Sequence, residues 1–160
     1  MIERTMTLTI KDNSATLNGK LIFYLGDCGV RINFVIQDVK YAFNQSNVLG
    51  ELGGNVKVLG YARKPNGTVF NLNKGEDGVD EQETDSNGHF NDFVDDDNLS
   101  ADTKNNIVKF KLTRNLTNEM DEVGTYTVQL ILQSYEGEEV VGQLTLPPFQ
   151  FEVRDSLMGV

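Results

Sequence analysis

Alternation of apolar and polar residues constrains this chain more than any other feature of it. Over residues 125–133, Tyr126, Val128, Leu130 and Leu132 form one row and Thr125, Thr127, Gln129 and Gln133 the other. A side-chain period of two belongs to a strand with one buried face, whereas a helix needs recurrence near 3.6. The pattern returns from end to end. Met6, Leu8 and Ile10 alternate with threonines, and Val30, Ile32, Phe34 and Ile36 alternate with Arg31, Asn33 and Gln37, with Val35 the exception. A further strand is expected over about 55–63, with Val56, Val58 and Tyr61 inward. Ile107 to Leu112 presents Lys109 and Lys111 outward, and Phe149, Phe151 and Val153 close the set.

Turn chemistry separates these runs. Lys64-Pro65-Asn66-Gly67 precedes an expected strand from Thr68 to Leu72: Pro65 presets φ, and Asn66 and Gly67 accept positive φ, so a hairpin results. The glutamate-rich turn at 136–139 leads into Val140 to Leu146, and Pro147 and Pro148 precede the last strand, which suits an edge because no ladder donor is lost. Open edges are expected near Met6 to Ile10 and Phe149 to Val153. Helical patterning is nearly absent; residues 116–124 (LTNEMDEVG) allow one or two turns that stop at Gly124. Eight or so short strands predict one all-β domain over residues 1–154, an antiparallel β-sandwich of immunoglobulin-like appearance. Its core is expected to include Ile32, Phe34, Val128, Leu130, Leu132, Phe149 and Phe151, and residues 155–160 to begin a linker or stalk.

One segment departs from the pattern. Residues 1–73 hold eight Lys or Arg and five Asp or Glu, residues 74–103 hold one and eleven, and residues 104–160 hold five and eight, so the net charge of -10 resides in the middle segment. It reads as an insertion in a loop, with Phe90 and Phe93 reaching back to the sandwich. Asp95, Asp96 and Asp97 offer carboxylates to calcium, but neither DSNGHF nor DDDNLS follows the EF-hand spacing, and mutually repelling charges more often keep a loop in water. Paired carboxylates for glycoside hydrolysis need a rigid cleft, which such a segment does not offer. No metal site is therefore assigned.

Composition excludes other classes. No cluster of four or more Lys or Arg occurs, so neither phosphate backbones nor anionic lipid finds a basic face, and no apolar run approaches the ~20 residues of a membrane span. The first twenty residues lack the apolar stretch of a signal peptide, which points to synthesis in a cytoplasm. Cys28 is the sole cysteine, in a tight turn beside Gly26 and Gly29 with no base near it; His89, the sole histidine, lies in the acidic segment and reads as a surface residue. Trp is absent, and most of the phenylalanines read as core, leaving Phe23, Tyr24, Tyr41, Phe43 and Tyr61 as possible sugar-stacking rings. No catalytic residue and no cofactor are assigned. What remains is a soluble sandwich that holds or is held.

Four stretches in order carry a resemblance: GDCGVRINFVI at 26–36, ARKPNGTVF at 62–70, VGTYTVQLIL at 123–132 and TLPPFQFEVRDSL at 145–157. Together they resemble the N-terminal domain of the baseplate upper protein (BppU) family of tailed phages that infect Gram-positive bacteria. The resemblance covers about 26–157 apart from the acidic insertion. It implies a structural adaptor in the virion tail baseplate whose N-terminal domain attaches to the tail hub (the distal tail protein) and neighbouring copies, while a following stalk trimerises and carries the receptor-binding part. On that reading Met1 is native and Val160 falls where the stalk begins. A carbohydrate-binding adhesin module is the competing class, since the same fold would serve it.

Overall fold

Each alternating row becomes a strand whose apolar face meets its counterpart from the opposite sheet. The computed structural model describes residues 2–11, 13–37, 56–73 and 98–155. Along them run β1 (Ile2–Lys11), β2 (Ser14–Leu17), β3 (Ile22–Tyr24), β4 (Val30–Gln37), β5 (Val56–Arg63), β6 (Val69–Asn71), β7 (Leu99–Asp102) and β8 (Ile107–Leu112). A single helical turn, α1 (Arg114–Thr117), then leads to β9 (Gly124–Glu136), β10 (Glu139–Thr145) and β11 (Phe149–Arg154). One sheet has the order β2-β1-β4-β8-β7; the other has the order β3-β11-β9-β5-β6, with β10 also paired to β9.

The sandwich is the expected architecture, and both of its sheets are mixed. Most neighbours are antiparallel, but β1 with β4 and β3 with β11 run parallel. Between β1 and β4 the chain passes through the opposite sheet as β3, which supplies the long crossover that parallel neighbours require. A period of two is the same for either direction, so the alternation could not reveal this.

All seven expected core residues are buried, none more than 5% exposed. Aromatic rings fill the middle: Phe151 stacks on Tyr126 at 5.0 Å and meets Phe23 edge-on at 5.3 Å, and Phe34 packs against Phe149 at 5.3 Å. Such offset and edge contacts suit the ring quadrupoles. In β5 the inward row is Val56, Val58, Gly60 and Ala62, so Tyr61 faces out and packs with Leu59 and Ile131 in a second apolar cluster on the outer face of its sheet. Tyr61 was expected inward because Gly60 hides the row it belongs to. A Cβ on Gly60 would lie 2.7 Å from Leu99 Cδ1 and 3.0 Å from Leu72 Cδ1, so the two sheets approach closely there.

Other boundaries shift for local reasons. The hairpin after β5 closes with Gly67 N–H on the Lys64 carbonyl at 2.9 Å, and only Gly67 takes positive φ, +93°. Asn66 instead accepts the Thr68 N–H through its side chain at 2.8 Å. The helical turn begins at Arg114 and buries Leu116, with Met120 buried just beyond it. Gly124 does not end that helix; it opens β9 at φ +139°, where a Cβ would stand 2.8 Å from Pro65 Cγ. At the far end of the acidic segment Leu99–Asp102 forms β7, so that part belongs to the first sheet. Neither expected edge is fully open. β1 has β2 on one side over Leu8–Lys11 and β4 on the other, and β11 is covered by β3 over Glu152–Arg154. Alternation assigns faces and says nothing of neighbours.

Candidate interaction surface

The candidate residues for metal, acid/base or surface chemistry, His89, Asp95, Asp96 and Asp97, lie outside the described residues, as do Tyr41, Phe43, Phe90 and Phe93. Among the described residues no group of three or more His, Cys, Asp or Glu is placed to hold a metal ion. Cys28 is exposed, between Gly26 and Gly29 at φ +86° and +74°. No described aromatic ring is exposed: Phe23 is buried, and Tyr24, Tyr61 and Tyr135 are half-buried.

The two ends of the acidic segment are each fixed by a buried asparagine. Asn73, 1% exposed, accepts the Gly60 N–H at 2.8 Å and donates to the Val58 carbonyl at 2.9 Å. It thus satisfies the edge of β5 just past the end of β6. Asn98, equally buried, donates to the Lys111 carbonyl at 2.6 Å and to Thr113 Oγ1 at 3.1 Å, and its own carbonyl accepts the Lys111 N–H at 2.8 Å. Both side chains do the work of a strand that has run out.

At the end of the β5–β6 hairpin, Lys64 pairs with Asp121, and the neighbouring Tyr126 hydroxyl donates to the Glu122 carbonyl at 2.7 Å and accepts the Glu122 N–H at 3.2 Å. The hydrogen bond from Lys64 holds the Asp121 carboxyl below its ordinary range, and its bond to Asp121 raises the Lys64 ammonium. Burial raises the Tyr126 phenol. The group is a clasp between the hairpin turn and the entry of β9, resembling the tyrosine corner of immunoglobulin-like domains.

One margin of the described surface joins a strand edge to two of the exposed large apolar side chains. β9 is long enough to carry two neighbours on the same side: β11 pairs with Gly124–Val128 and β10 with Ile131–Glu136. β10 and β11 are therefore two lengths of one strand, interrupted at Pro147 and Pro148. Among the described residues β10 has β9 as its one neighbour, and its Val140 and Val141 are 44% and 40% exposed. A bulge falls between Val140 and Gly142, leaving Val141 as the extra residue. At the foot of this margin, where the chain crosses from β2 to β3, a cleft of about 330 Å³ is lined by Leu17, Lys20, Leu21, Phe149, Gln150 and Phe151 among others. The sequence carried a sign of this margin in the adjacent valines after the glutamate turn and in the paired prolines, which respectively break the alternation and remove donors.

No family model and no curated protein matches the chain. Among solved structures it is similar to the N-terminal domain of phage TP901-1 ORF48, a baseplate upper protein, with a TM-score of 0.55 and 14% identity, over 96% of this chain and 99% of that one. The fold expected from the motif resemblance is thus the fold observed.

Proposed function

We propose that the chain is a structural attachment domain of a phage tail baseplate, fastening the receptor-binding apparatus to the distal tail protein at the central hub. The observation that carries this reading is the end-to-end likeness of fold to the N-terminal domain of phage TP901-1 ORF48. It agrees with the ordered motifs at 26–36, 62–70, 123–132 and 145–157. At 14% identity the likeness of fold owes little to those motifs, so the two signals support one another. The distribution of side chains agrees as well. Most aromatic residues of the described sandwich serve its interior, and strand edges and charged turns form much of its surface. Such a surface suits attachment better than turnover, and among the described residues no fully exposed ring stands ready to stack on a glycan. On this reading the protein is a non-enzymatic virion component that meets the hub and neighbouring copies of itself, and the receptor-binding part follows through a downstream stalk.

The test mixes the purified chain with the distal tail protein of the same phage and measures solution mass by light scattering, alongside a host-glycan array. A complex of fixed stoichiometry and no glycan retention is expected. Saturable binding of a host glycan without any complex would overturn the reading in favour of an adhesin module.

A further inference from the structure

Resting on the attachment role proposed above, we infer that the cleft between the edges of β2 and β11 seats an extended segment of the partner as a short strand added to β2. That segment carries apolar side chains at alternate positions and a carboxylate at the Lys20 end.

Two sheet edges wall this cleft. Asn18 N–H donates to the Thr7 carbonyl at 3.1 Å and Asn18 Oδ1 accepts the Thr7 N–H at 3.1 Å, so the two residues turn their groups towards each other. Counting back along the antiparallel register, Thr16 faces Thr9 and Ser14 faces Lys11 in the same way. The N–H and C=O of Ala15 and Leu17 therefore point away from β1. In the other sheet, Glu152 N–H donates outward to the Leu21 carbonyl at 2.9 Å. The backbone groups of Gln150, two residues earlier, thus also point away from β9, past the described end of β3. Ala15, Leu17 and Gln150 all line the cleft of about 330 Å³. Its floor is apolar: Leu21, Phe149 and Phe151 are buried, and Ala15 and Leu17 are half-buried against the same core.

Strand edges are commonly blunted by brevity and by lysine, and β2 has both, being four residues long with Lys11 and Lys20 beyond its ends. Protection alone does not call for a hollow behind the edge. A strand laid beside β2 turns every second side chain to the inner face, and those opposite Ala15 and Leu17 enter the cleft. Charge sets the rest of the segment. Lys20 and Glu152 are the charged residues of the lining, and Glu152 is paired with Arg154 at 2.9 Å. Exposed Lys20 therefore draws a carboxylate and repels a cation. So short a ladder makes a weak contact, and several copies held together make it firm.

The test follows amide hydrogen exchange and solution mass of the chain alone, with the distal tail protein of the same phage, and with eight-residue peptides of alternating Val and Glu or alternating Val and Lys. Alone, Ala15, Leu17 and Gln150 should exchange faster than Thr16, whose N–H faces β1, and equal protection would deny the open edges. The hub protein and the Val–Glu peptide should slow all three, and Val–Lys none. Gly19→Phe sets a ring at the cleft on a backbone without positive φ, where a Cβ stands 3.9 Å from Met6 Cε, so the fold is kept. It should weaken both bindings by about tenfold, the loss expected when one apolar side chain is displaced. Lys20→Glu should weaken them by about fivefold and let Val–Lys bind. A hub complex whose protection lies elsewhere, and which neither variant weakens, overturns the inference while the attachment role stands. With no hub complex, Val–Glu protection that Lys20→Glu transfers to Val–Lys supports the cleft and leaves the attachment role to fall alone. No protection by either, binding blind to the sign of charge, or protection in the chain alone as its mass doubles overturns it, the last in favour of a second copy.

Discussion

Removing the Asn73 side chain tests whether the sandwich is closed where the acidic segment leaves it. In Asn73→Ala the Gly60 N–H and the Val58 carbonyl lose their partner at a position 1% exposed to solvent. A buried backbone group left without a hydrogen bond costs about 1–3 kcal/mol, so two cost on the order of 3 kcal/mol after some relaxation. For a chain of this length each kcal/mol lowers Tm by roughly 2–4 °C, which predicts a loss of about 6–12 °C in a far-ultraviolet melting curve. Asn73→Asp separates the bonds from simple packing. Its carboxylate accepts from Gly60 N–H but has no proton for the Val58 carbonyl, so the folded carboxyl titrates above the ordinary aspartate value of about 3.9. Protonation restores the donor. The stability of this variant relative to Asn73→Ala is therefore greatest below the unfolded value and is lost as pH rises through the folded one. An alanine variant that melts with the native chain, or an aspartate variant whose offset from alanine does not change with pH, would refute the argument.

Three further outcomes are expected. Leu130→Ala, at a side chain 1% exposed in the inward row of β9, should cost about 2–5 kcal/mol in urea unfolding, and a loss near zero would mean the row is misassigned. Tyr126→Phe removes the hydroxyl that bridges both backbone groups of Glu122 and should cost about 1–3 kcal/mol without disturbing the Phe151 stack, as read by near-ultraviolet circular dichroism and melting. The Asp121 carboxyl is depressed and the Lys64 ammonium raised, each chiefly by their mutual hydrogen bond. The pair's contribution is thus present above the ordinary value 3.8 of Asp121 and below the ordinary 10.5 of Lys64. It is lost as pH falls through the lowered carboxyl value or rises through the raised ammonium value. The Tm difference between the native chain and Asp121→Asn should shrink toward both extremes, and a difference that persists unchanged in acid would deny the pair any role.

Much of the fold was legible because burial in a sandwich writes itself into alternate positions. Val128, Leu130 and Leu132 could be assigned to the interior without knowing their neighbours, since a slip of one residue would turn every one of them to solvent. Strand order left no such trace. The parallel contacts of β1 with β4 and β3 with β11 join residues far apart in sequence, and the same inward row would serve an antiparallel partner. Glycine and asparagine misled for a different reason. Gly60 has no side chain to show that it belongs to the buried row, and Asn73 and Asn98 are polar residues at 1% exposure, hidden because backbone groups satisfy them. A sequence reader assigns both asparagines to a polar loop.

The same distinction governs the candidate surface. A strand's inward face is specified by side chains, but its edge is specified by which backbone groups lack a neighbour, and that depends on where adjacent strands stop. Among the described residues β3 stops at Ile22, opposite Glu152, short of Gln150; the shift of register across Pro147 and Pro148 then lets β10 continue the same margin along β9. The prolines were read as marks of an edge, which they are, but for the wrong length of strand. Their missing donors fall where β11 gives way to β10, and there they cost no bond to β9, because Leu146 and Phe149 on either side face it. Since an exposed sheet edge is a common route to aggregation, the exposed glutamates at the hairpin end of this margin have a physical consequence: they repel copies of the same edge. Resistance to self-association at this margin is therefore expected from the same three glutamates, and replacing Glu136, Glu138 and Glu139 by Gln should weaken it, measured as solution mass at rising concentration. A triple variant whose mass stays that of the native chain at every concentration would show that charge plays no part in keeping this edge apart.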